Sequence, residues 1–194
     1  MRDAAATRDR ILVAATAEFA AHGIAGARVD RIADNAPTSK AQIYTYFGNK
    51  DALFDAVFAA HVADNVNTVP VDAAHLPEYA VRLYDAYLAD PALVRLLAWA
   101  RLERTPTGAL FAHVPDHDVD VLQQLEAAQR SGVLVDDVAA QDLWAMLIAI
   151  AGTWAQAAVV HTAHAAEDAN EHARRRDALR RTTRRAFCRP ASDH

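Results

Sequence analysis

The sequence predicts an all-α protein, in which an N-terminal three-helix domain with a helix-turn-helix joins a C-terminal helical bundle that dimerises. Apolar residues recur every three or four positions along the chain, and no alternating strand pattern competes with them. Composition agrees, because 53% of the 194 residues are hydrophobic, 23% are charged, and there are only 6 Gly and 7 Pro. These proportions exclude a disordered or collagen-like chain.

Charge is divided unevenly between the two ends of the chain. The formal net charge is -5, yet residues 1–50 hold seven Lys or Arg against five acids. A small cationic module on an acidic body is typical of a protein that binds a polyanion through one end only. The single cysteine, Cys188, cannot form an internal disulfide, and no apolar leader follows Met1. We therefore expect a cytoplasmic protein.

The first predicted helix spans Thr7–Gly23. Its apolar residues Ile11, Ala15 and Phe19 lie one turn apart, and Gly23 can adopt the left-handed conformation that ends a helix.

A second helix of about two turns follows. Val29, Ile32 and Ala33 form its apolar stripe, and Pro37 ends it because the residue before a proline is pushed out of the helical region.

A third short helix begins after Ser39, which can cap it. Ile43 and Phe47 lie one turn apart on its inner face, so its outer face carries Ala41, Gln42 and Thr45. Lys50 opens a fourth helix with the apolar set Leu53, Phe54, Val57, Phe58 and Val62.

Two short helices joined by a turn, with a polar outer face on the second, are typical of a helix-turn-helix that binds DNA. Hydrogen-bonding side chains surround the start of the third helix and are predicted to bind DNA: Thr38, Ser39, Lys40, Gln42, Tyr44, Thr45, Tyr46 and Lys50. We predict base contacts from Gln42 and Thr45 and phosphate contacts from Tyr44, Tyr46 and Lys50. The alternative is that the tyrosines are core residues, but two tyrosines two positions apart on a helix cannot both face one core.

The run from Ala36 to Phe54 reads APTSKAQIYTYFGNKDALF, and it is preceded by Phe19, Gly23 and the stretch VDRIA. Over about residues 8–58 it resembles the DNA-binding region of TetR-type transcriptional repressors. The resemblance implies an all-helical homodimer with an N-terminal operator-binding domain and a larger C-terminal domain that pairs the subunits and often holds an inducing ligand. It implies domains at 1–58 and 59–194.

Three positions depart from the family pattern. The turn reads Pro37-Thr38 where Gly and an apolar residue are common. Arg28 stands where many members have a capping Ser or Thr, and we expect it to reach a phosphate instead. Ala41 replaces a common Gly and adds a methyl group that can touch a thymine methyl.

The body also looks helical. A polar stretch from Asn65 to Pro77 predicts a linker, Pro77 and Pro91 each fit a first helical turn, and Thr105–Gly108 and Ser131-Gly132 fit helix ends.

The stretch Leu143–Val160 has no charged residue and approaches the length of a membrane span. Because alanine dominates it, we predict instead one long helix buried on nearly every side. Its small residues Ala145, Ala149 and Gly152 allow a second helix to approach closely, which predicts a subunit interface.

Aromatic and irregular residues in the body predict a cavity for a small apolar or aromatic effector. Its lining is predicted to include Tyr84, Leu88, Trp99, Phe111, Trp144, Met146 and Trp154, with polar contacts from His113, His117, Thr153 and Gln156. Core packing explains the same residues equally well.

No motif predicts catalysis, a cofactor or a metal. His161 and His164 with Glu167 and Asp168 have the spacing of a metal site. We favour the interpretation that they are exposed surface residues rather than metal ligands. Seven arginines mark the last helix, about Glu167 to Phe187, and an eighth, Arg189, follows it. A solvated helix that pairs with an acidic body is favoured over a second nucleic-acid site.

The sequence therefore predicts a dimeric, ligand-responsive repressor that binds a double-stranded DNA operator and no membrane. The alternatives are a constitutive or architectural DNA binder without an effector and a small helical enzyme.

Overall fold

The computed structural model describes residues 2–104, 117–155 and 160–190, and over these ranges it contains nine α-helices and no strand. The helices are α1 (Arg2–Gly26), α2 (Val29–Asn35), α3 (Lys40–Phe47), α4 (Lys50–Thr68), α5 (Leu76–Ala89), α6 (Pro91–Arg104), α7 (His117–Arg130), α8 (Ala140–Ala151) and α9 (Ala169–Phe187). A short 3-10 turn, Ala73–His75, precedes α5. The all-α fold class is confirmed.

The chain divides into two compact units. The N-terminal unit contains α1 to α3, α4 up to residue 64, and α6. The body unit contains the remainder of α4, α5, and α7 to α9. The division of the sequence near residue 58 stays a prediction.

The N-terminal unit is built around a small apolar core. Ile11 and Phe19 of α1, Ile32 of α2 and Ile43 of α3 are at most 1% exposed. Phe19 meets Phe54 of α4 edge to face, with ring centroids 5.2 Å apart. The apolar stripes predicted for the first four helices therefore face one another.

Three helix ends differ from the prediction. Helix α1 begins at Arg2 and resumes after Gly23, whose φ of 72° breaks the helix locally before it ends at Gly26. Helix α4 runs to Thr68, so the linker predicted from Asn65 starts four residues later, at Val69. The predicted end of α6 at Thr105–Gly108 lies outside the described residues.

The apolar stretch from Leu143 does not form a single helix through Val160. Helix α8 ends at Ala151, because Gly152 and Thr153 turn the chain with hydrogen bonds to Ile148 O and Ile150 O. Within the described ranges, no helix is both long enough and apolar enough to cross a membrane.

In the body unit, α9 packs against α5 and α8. Leu179 of α9 shares a core cluster with Val81 and Tyr84 of α5, and Trp154 and Ile150 pack against it. Leu143 and Leu147 bury the inner face of α8.

Candidate functional site

Helix α3 is capped as predicted. Ser39 is extended, with φ −100° and ψ 151°, and its Oγ accepts a hydrogen bond from the backbone N–H of Gln42 at 3.1 Å. Ile43 is 1% exposed and Phe47 is half-buried. The helix is therefore fixed by one cap and one buried anchor, while most of its other residues remain exposed.

The outer face of α3 is exposed and mostly polar. It carries Ala41, Gln42, Tyr44 and Thr45, while Tyr46 is half-buried. The Thr45 hydroxyl donates to Ala41 O at 2.9 Å, which leaves its oxygen lone pairs and methyl group facing outward. A face of this composition can contact the base edges of a major groove.

The turn before α3 holds Gln42 in place. Pro37 has a positive φ of 25°, the sign that glycine adopts freely, and the N–H of Thr38 donates to Ala33 O at 3.0 Å. The Thr38 hydroxyl donates to Gln42 Oε1 at 2.6 Å. One lone pair of the Gln42 side-chain oxygen is therefore occupied, and the NH2 group of the side chain remains as a donor.

A buried glutamate, which the sequence analysis did not single out, caps α2. Glu18 of α1 is 6% exposed, and its Oε1 accepts the backbone N–H of Arg28 at 2.8 Å. Arg28 is the N-cap residue of α2 and makes no side-chain cap of its own. Its side chain is exposed and free to reach a phosphate.

Glu18 also holds Arg31 in α2. The guanidinium Nε donates to Glu18 Oε1 and Oε2 at 2.9 and 3.1 Å, and Nη2 donates to Gly26 O at 3.2 Å. Burial raises the pKa of Glu18, but the hydrogen bonds from Arg31 and from the Arg28 N–H outweigh it and leave this pKa below its usual range. The pair fixes the start of the helix-turn-helix.

The two lysines of the predicted DNA site already have protein partners. Lys40 Nζ lies 3.1 Å from Asp30, and this hydrogen bond raises the pKa of Lys40. Both side chains are exposed, so the pair can exchange for a phosphate at little cost. Lys50 Nζ donates to Ala25 O and Ala27 O at 3.1 and 3.2 Å, and therefore ties α4 to the last turn of α1 and to the segment that follows it.

Three of the residues predicted to line an effector cavity lie together in the body unit. The Tyr84 ring is buried and meets Trp154 edge to face, with centroids 5.7 Å apart, and Leu88 packs on the same cluster.

The other predicted lining residues are dispersed. Trp144 stacks on Tyr79 at 6.0 Å, Met146 is 40% exposed, and the exposed Thr153 hydroxyl donates to Ala149 O. Trp99 belongs to the N-terminal unit, where its indole N–H donates to Ala20 O at 3.3 Å. Phe111, His113 and Gln156 lie outside the described residues, and His117 begins α7, where its side chain is not described.

One side of α8 is exposed. Ala145 and Ala149, two of the three residues predicted at a subunit interface, lie on it with Met146, and the exposed Thr153 follows in the turn after the helix, whereas Gly152 is buried. We call these four exposed residues the α8 strip.

A buried polar cluster on α9 was not among the features predicted from the sequence. Arg175 is 1% exposed and His172 is 7% exposed, and both reach the buried Tyr84 hydroxyl. Arg175 also donates to Glu167. The hydrogen bond from Arg175 lowers the pKa of Glu167 to about 2. Burial of the Glu167 carboxylate opposes this shift, and a hydrogen bond from His161 adds to it.

Several other arginines of α9 pair with acids of the body unit. Arg176 binds both carboxylate oxygens of Asp85, at 2.9 and 3.2 Å, and Arg180 and Arg184 lie near Glu78. These contacts fit the interpretation of a solvated helix.

The other chemical candidates of the sequence are not assembled into a site. Over the described residues, no group of three potential ligands is placed to hold a metal. His161 contacts Glu167 at 3.0 Å, and burial raises the pKa of the Cys188 thiol, so the thiol is not activated.

Comparison with known proteins identifies the family. Residues 11–57 match the model of bacterial regulatory proteins of the tetR family, and residues 75–185 match the tetracyclin repressor-like C-terminal domain. This chain belongs to the TetR family. It is 42% identical, over 155 residues covering 79% of this chain and 80% of the relative, to the HTH-type transcriptional repressor SCO4008 of Streptomyces coelicolor.

Two further proteins are similar to this TetR-family chain. The HTH-type transcriptional repressor NicS of Pseudomonas putida is 30% identical, with 74% of this chain and 73% of the relative covered. The crystal structure of a transcriptional regulator, SCO4942 of Streptomyces coelicolor, superposes with a TM-score of 0.76 at 38% identity, covering 95% and 99% of the two chains. The chain is thus a helix-turn-helix transcriptional repressor that binds DNA, and its relatives are regulators rather than enzymes.

Proposed function

We propose that this repressor binds a palindromic operator as a homodimer, with α3 of each subunit in the major groove. The observation that carries the proposal is the outer face of α3, where Gln42 and Thr45 are exposed on a helix fixed by Ser39 and Ile43. In this assignment Arg28, Lys40, Tyr44, Tyr46 and Lys50 contact phosphates, and Ala41 touches a thymine methyl.

The assignment is tested by replacing a base contact. Gln42→Ala is expected to cost about 1–3 kcal/mol at an operator selected from a random DNA library, and little on non-specific DNA. Gln123→Ala, an exposed glutamine in α7, is the matched control. Fluorescence anisotropy measures both affinities, and equal losses on operator and non-specific DNA for Gln42→Ala contradict the assignment.

The α8 strip is proposed to lie in the subunit interface. Small exposed side chains at Ala145 and Ala149 allow a facing helix to approach closely, and Met146 supplies apolar area. Ala149→Glu is expected to convert the dimer into a monomer, because it buries an unpaired charge in the interface. Ala173→Glu, at an exposed alanine of α9, is the control. A wild-type chain that sediments as a monomer at micromolar concentration overturns this part.

We further propose that a small apolar or aromatic effector, held near Tyr84, Leu88 and Trp154, lowers operator affinity. A hundredfold fall in operator affinity requires the effector to bind the body conformation that does not bind DNA more tightly by about 2.7 kcal/mol. Titration of operator complexes with a panel of aromatic compounds tests this. Compounds that bind the body but leave operator affinity unchanged favour the alternative of a constitutive binder.

A further inference from the structure

Two buried nitrogen atoms in the polar cluster of α9 have no hydrogen-bond partner among the described residues: Arg175 Nε and His172 Nε2. Both side chains are more than nine-tenths buried, and they lie three residues apart on the same face of one helix. Buried polar atoms in native proteins are paired with few exceptions, so these two atoms indicate a missing partner.

Both atoms are donors. Tyr84 has one hydroxyl hydrogen, and its oxygen accepts from Arg175 Nη1 at 3.4 Å. Its hydrogen then goes to His172 Nδ1 at 2.8 Å, because no other acceptor for it is described. A neutral imidazole that accepts at Nδ1 carries its proton on Nε2. The missing partner must therefore accept from His172 Nε2–H and from Arg175 Nε–H.

The geometry of the Arg175 guanidinium points to the kind of acceptor. Glu167 engages Nη1 of Arg175, whereas Glu171 lies 4.0 Å from Nη2, beyond hydrogen-bond distance. The Nε–Nη2 edge of a guanidinium is a fork that matches the two oxygens of a carboxylate. The imidazole N–H of His172 is a further unpaired buried donor, three residues before Arg175 on the same face of α9.

The surroundings of the cluster are apolar and aromatic. The Arg175 guanidinium lies over the Trp154 ring, 5.8 Å from its centroid, and Trp154 is half-buried. Tyr84 meets the same ring edge to face, and Leu88 and Ile150 pack on this cluster. These groups suit an apolar or aromatic body attached to the carboxylate.

We propose that Arg175 and His172 bind the carboxylate of an apolar or aromatic acid, whose ring or chain packs against Trp154. The proposal rests on the proposed function, since it names the chemical class of the effector. Tyr84 is a positioning residue here, because its hydroxyl sets the proton of His172 and touches Arg175.

The test compares an acid with its neutral isostere. In isothermal titration, 2-naphthoate is expected to bind the wild-type chain at least about tenfold more tightly than 2-naphthamide, as charge-assisted hydrogen bonds require. Arg175→Lys keeps the charge facing Glu167 but removes Nε–H, and His172→Leu removes the second donor. Both variants are expected to lose the preference. Arg174→Lys, at the exposed neighbour paired with Glu171, is expected to keep it.

A measurement on the unaltered protein guards against misfolded variants. Nitrogen-15 NMR of the histidine side chains is expected to show His172 protonated at Nε2, with this signal shifting on addition of 2-naphthoate and not of 2-naphthamide. Equal affinities for acid and amide, an unshifted signal, or failure of 2-naphthoate, benzoate and octanoate all to bind overturns the proposal.

Operator titration distinguishes the proposed acid site from the proposed gating, in which a bound effector lowers operator affinity. If 2-naphthoate binds through Arg175 and His172 but the operator complex persists, the acid site stands and the gating mechanism fails. If compounds without an acid group release the operator and 2-naphthoate does not bind, the gating stands and the acid site fails.

Discussion

Replacing Glu18 with glutamine should destabilise the N-terminal unit by removing the charge that fixes the start of α2. Glu18 is 6% exposed and accepts hydrogen bonds from the Arg28 N–H and from the Arg31 guanidinium. Glutamine fits the same space and keeps one acceptor oxygen, so the variant tests charge rather than packing.

The size of the effect follows from these contacts. A hydrogen bond to a charged group contributes about 1.5–3 kcal/mol and one between neutral groups about 0.5–1.5 kcal/mol, so each contact loses about 1 kcal/mol. The Arg31 side chain is 40% exposed and regains water, which reduces the loss. We expect Glu18→Gln to cost about 2 kcal/mol and to lower Tm by about 4–8 °C.

The pH dependence gives a second signature of the same charge. Because the pKa of Glu18 is lower in the folded chain than its usual value, its contribution is complete above a pH of about 4.3 and is lost as pH falls through the folded-state pKa. The difference in stability between wild type and Glu18→Gln should therefore shrink in acid.

Urea denaturation at pH 7 and in a series down to pH 3 measures both signatures. Glu126→Gln is the matched control, because Glu126 pairs with Arg130 across 3.6 Å on an exposed helix face and should change stability by less than about 0.5 kcal/mol. A Glu18→Gln variant as stable as this control, or a deficit that stays constant at pH 3, refutes the reasoning.

Three further predictions concern the same unit. Gly23→Ala should cost about 3 kcal/mol in urea denaturation, because φ is +72° and an added Cβ meets an indole carbon at 2.8 Å. Gly48→Ala, at φ +82° in open space, should cost only about 1 kcal/mol, and equal costs contradict the clash. Thr38→Val, which releases Gln42 Oε1, should reduce discrimination between operator and random DNA in anisotropy titrations at unchanged Tm; unchanged discrimination contradicts this role. Lys50→Ala should weaken binding to operator and to random DNA alike, and it should reduce the slope of log affinity against log salt concentration by about one. It should also lower Tm, because two backbone carbonyls lose their donor. An unchanged slope contradicts the phosphate contact.

The helix-turn-helix was predictable because its signals are local. Ser39 caps α3, Ile43 anchors it, and the stripe of Val29 and Ile32 faces inward, as the spacing of these residues predicts. The end of α8 was harder to predict, because the apolar character of the sequence continues to Val160 while the hydrogen bonds of the helix stop at Gly152. Composition alone does not determine where an apolar helix ends.

Tertiary partners explain what the sequence analysis missed. The cap of α2 comes from Glu18, ten residues before Arg28, and no rule of local capping includes it. Arg175 is neutralised by Glu167 and touches Tyr84, far away in sequence. Helical spacing did carry a signal in both cases. Glu18 is seven residues after Ile11, and Arg175 is four residues before Leu179, so both charges fall on an apolar stripe.

A charge on an apolar stripe can serve the fold or a ligand, and hydrogen-bond satisfaction distinguishes the two roles. Both oxygens of Glu18 have donors within the N-terminal unit, so this carboxylate is complete and serves the fold. Arg175 is also buried, but Glu167 and Tyr84 leave its Nε without an acceptor, and His172, three residues before it on α9, has a second unpaired nitrogen. Leaving two buried atoms unpaired costs about 1–3 kcal/mol each, which a chain selected for stability alone would avoid. The cluster is therefore better explained as a site for an acceptor from outside the chain than as part of the core.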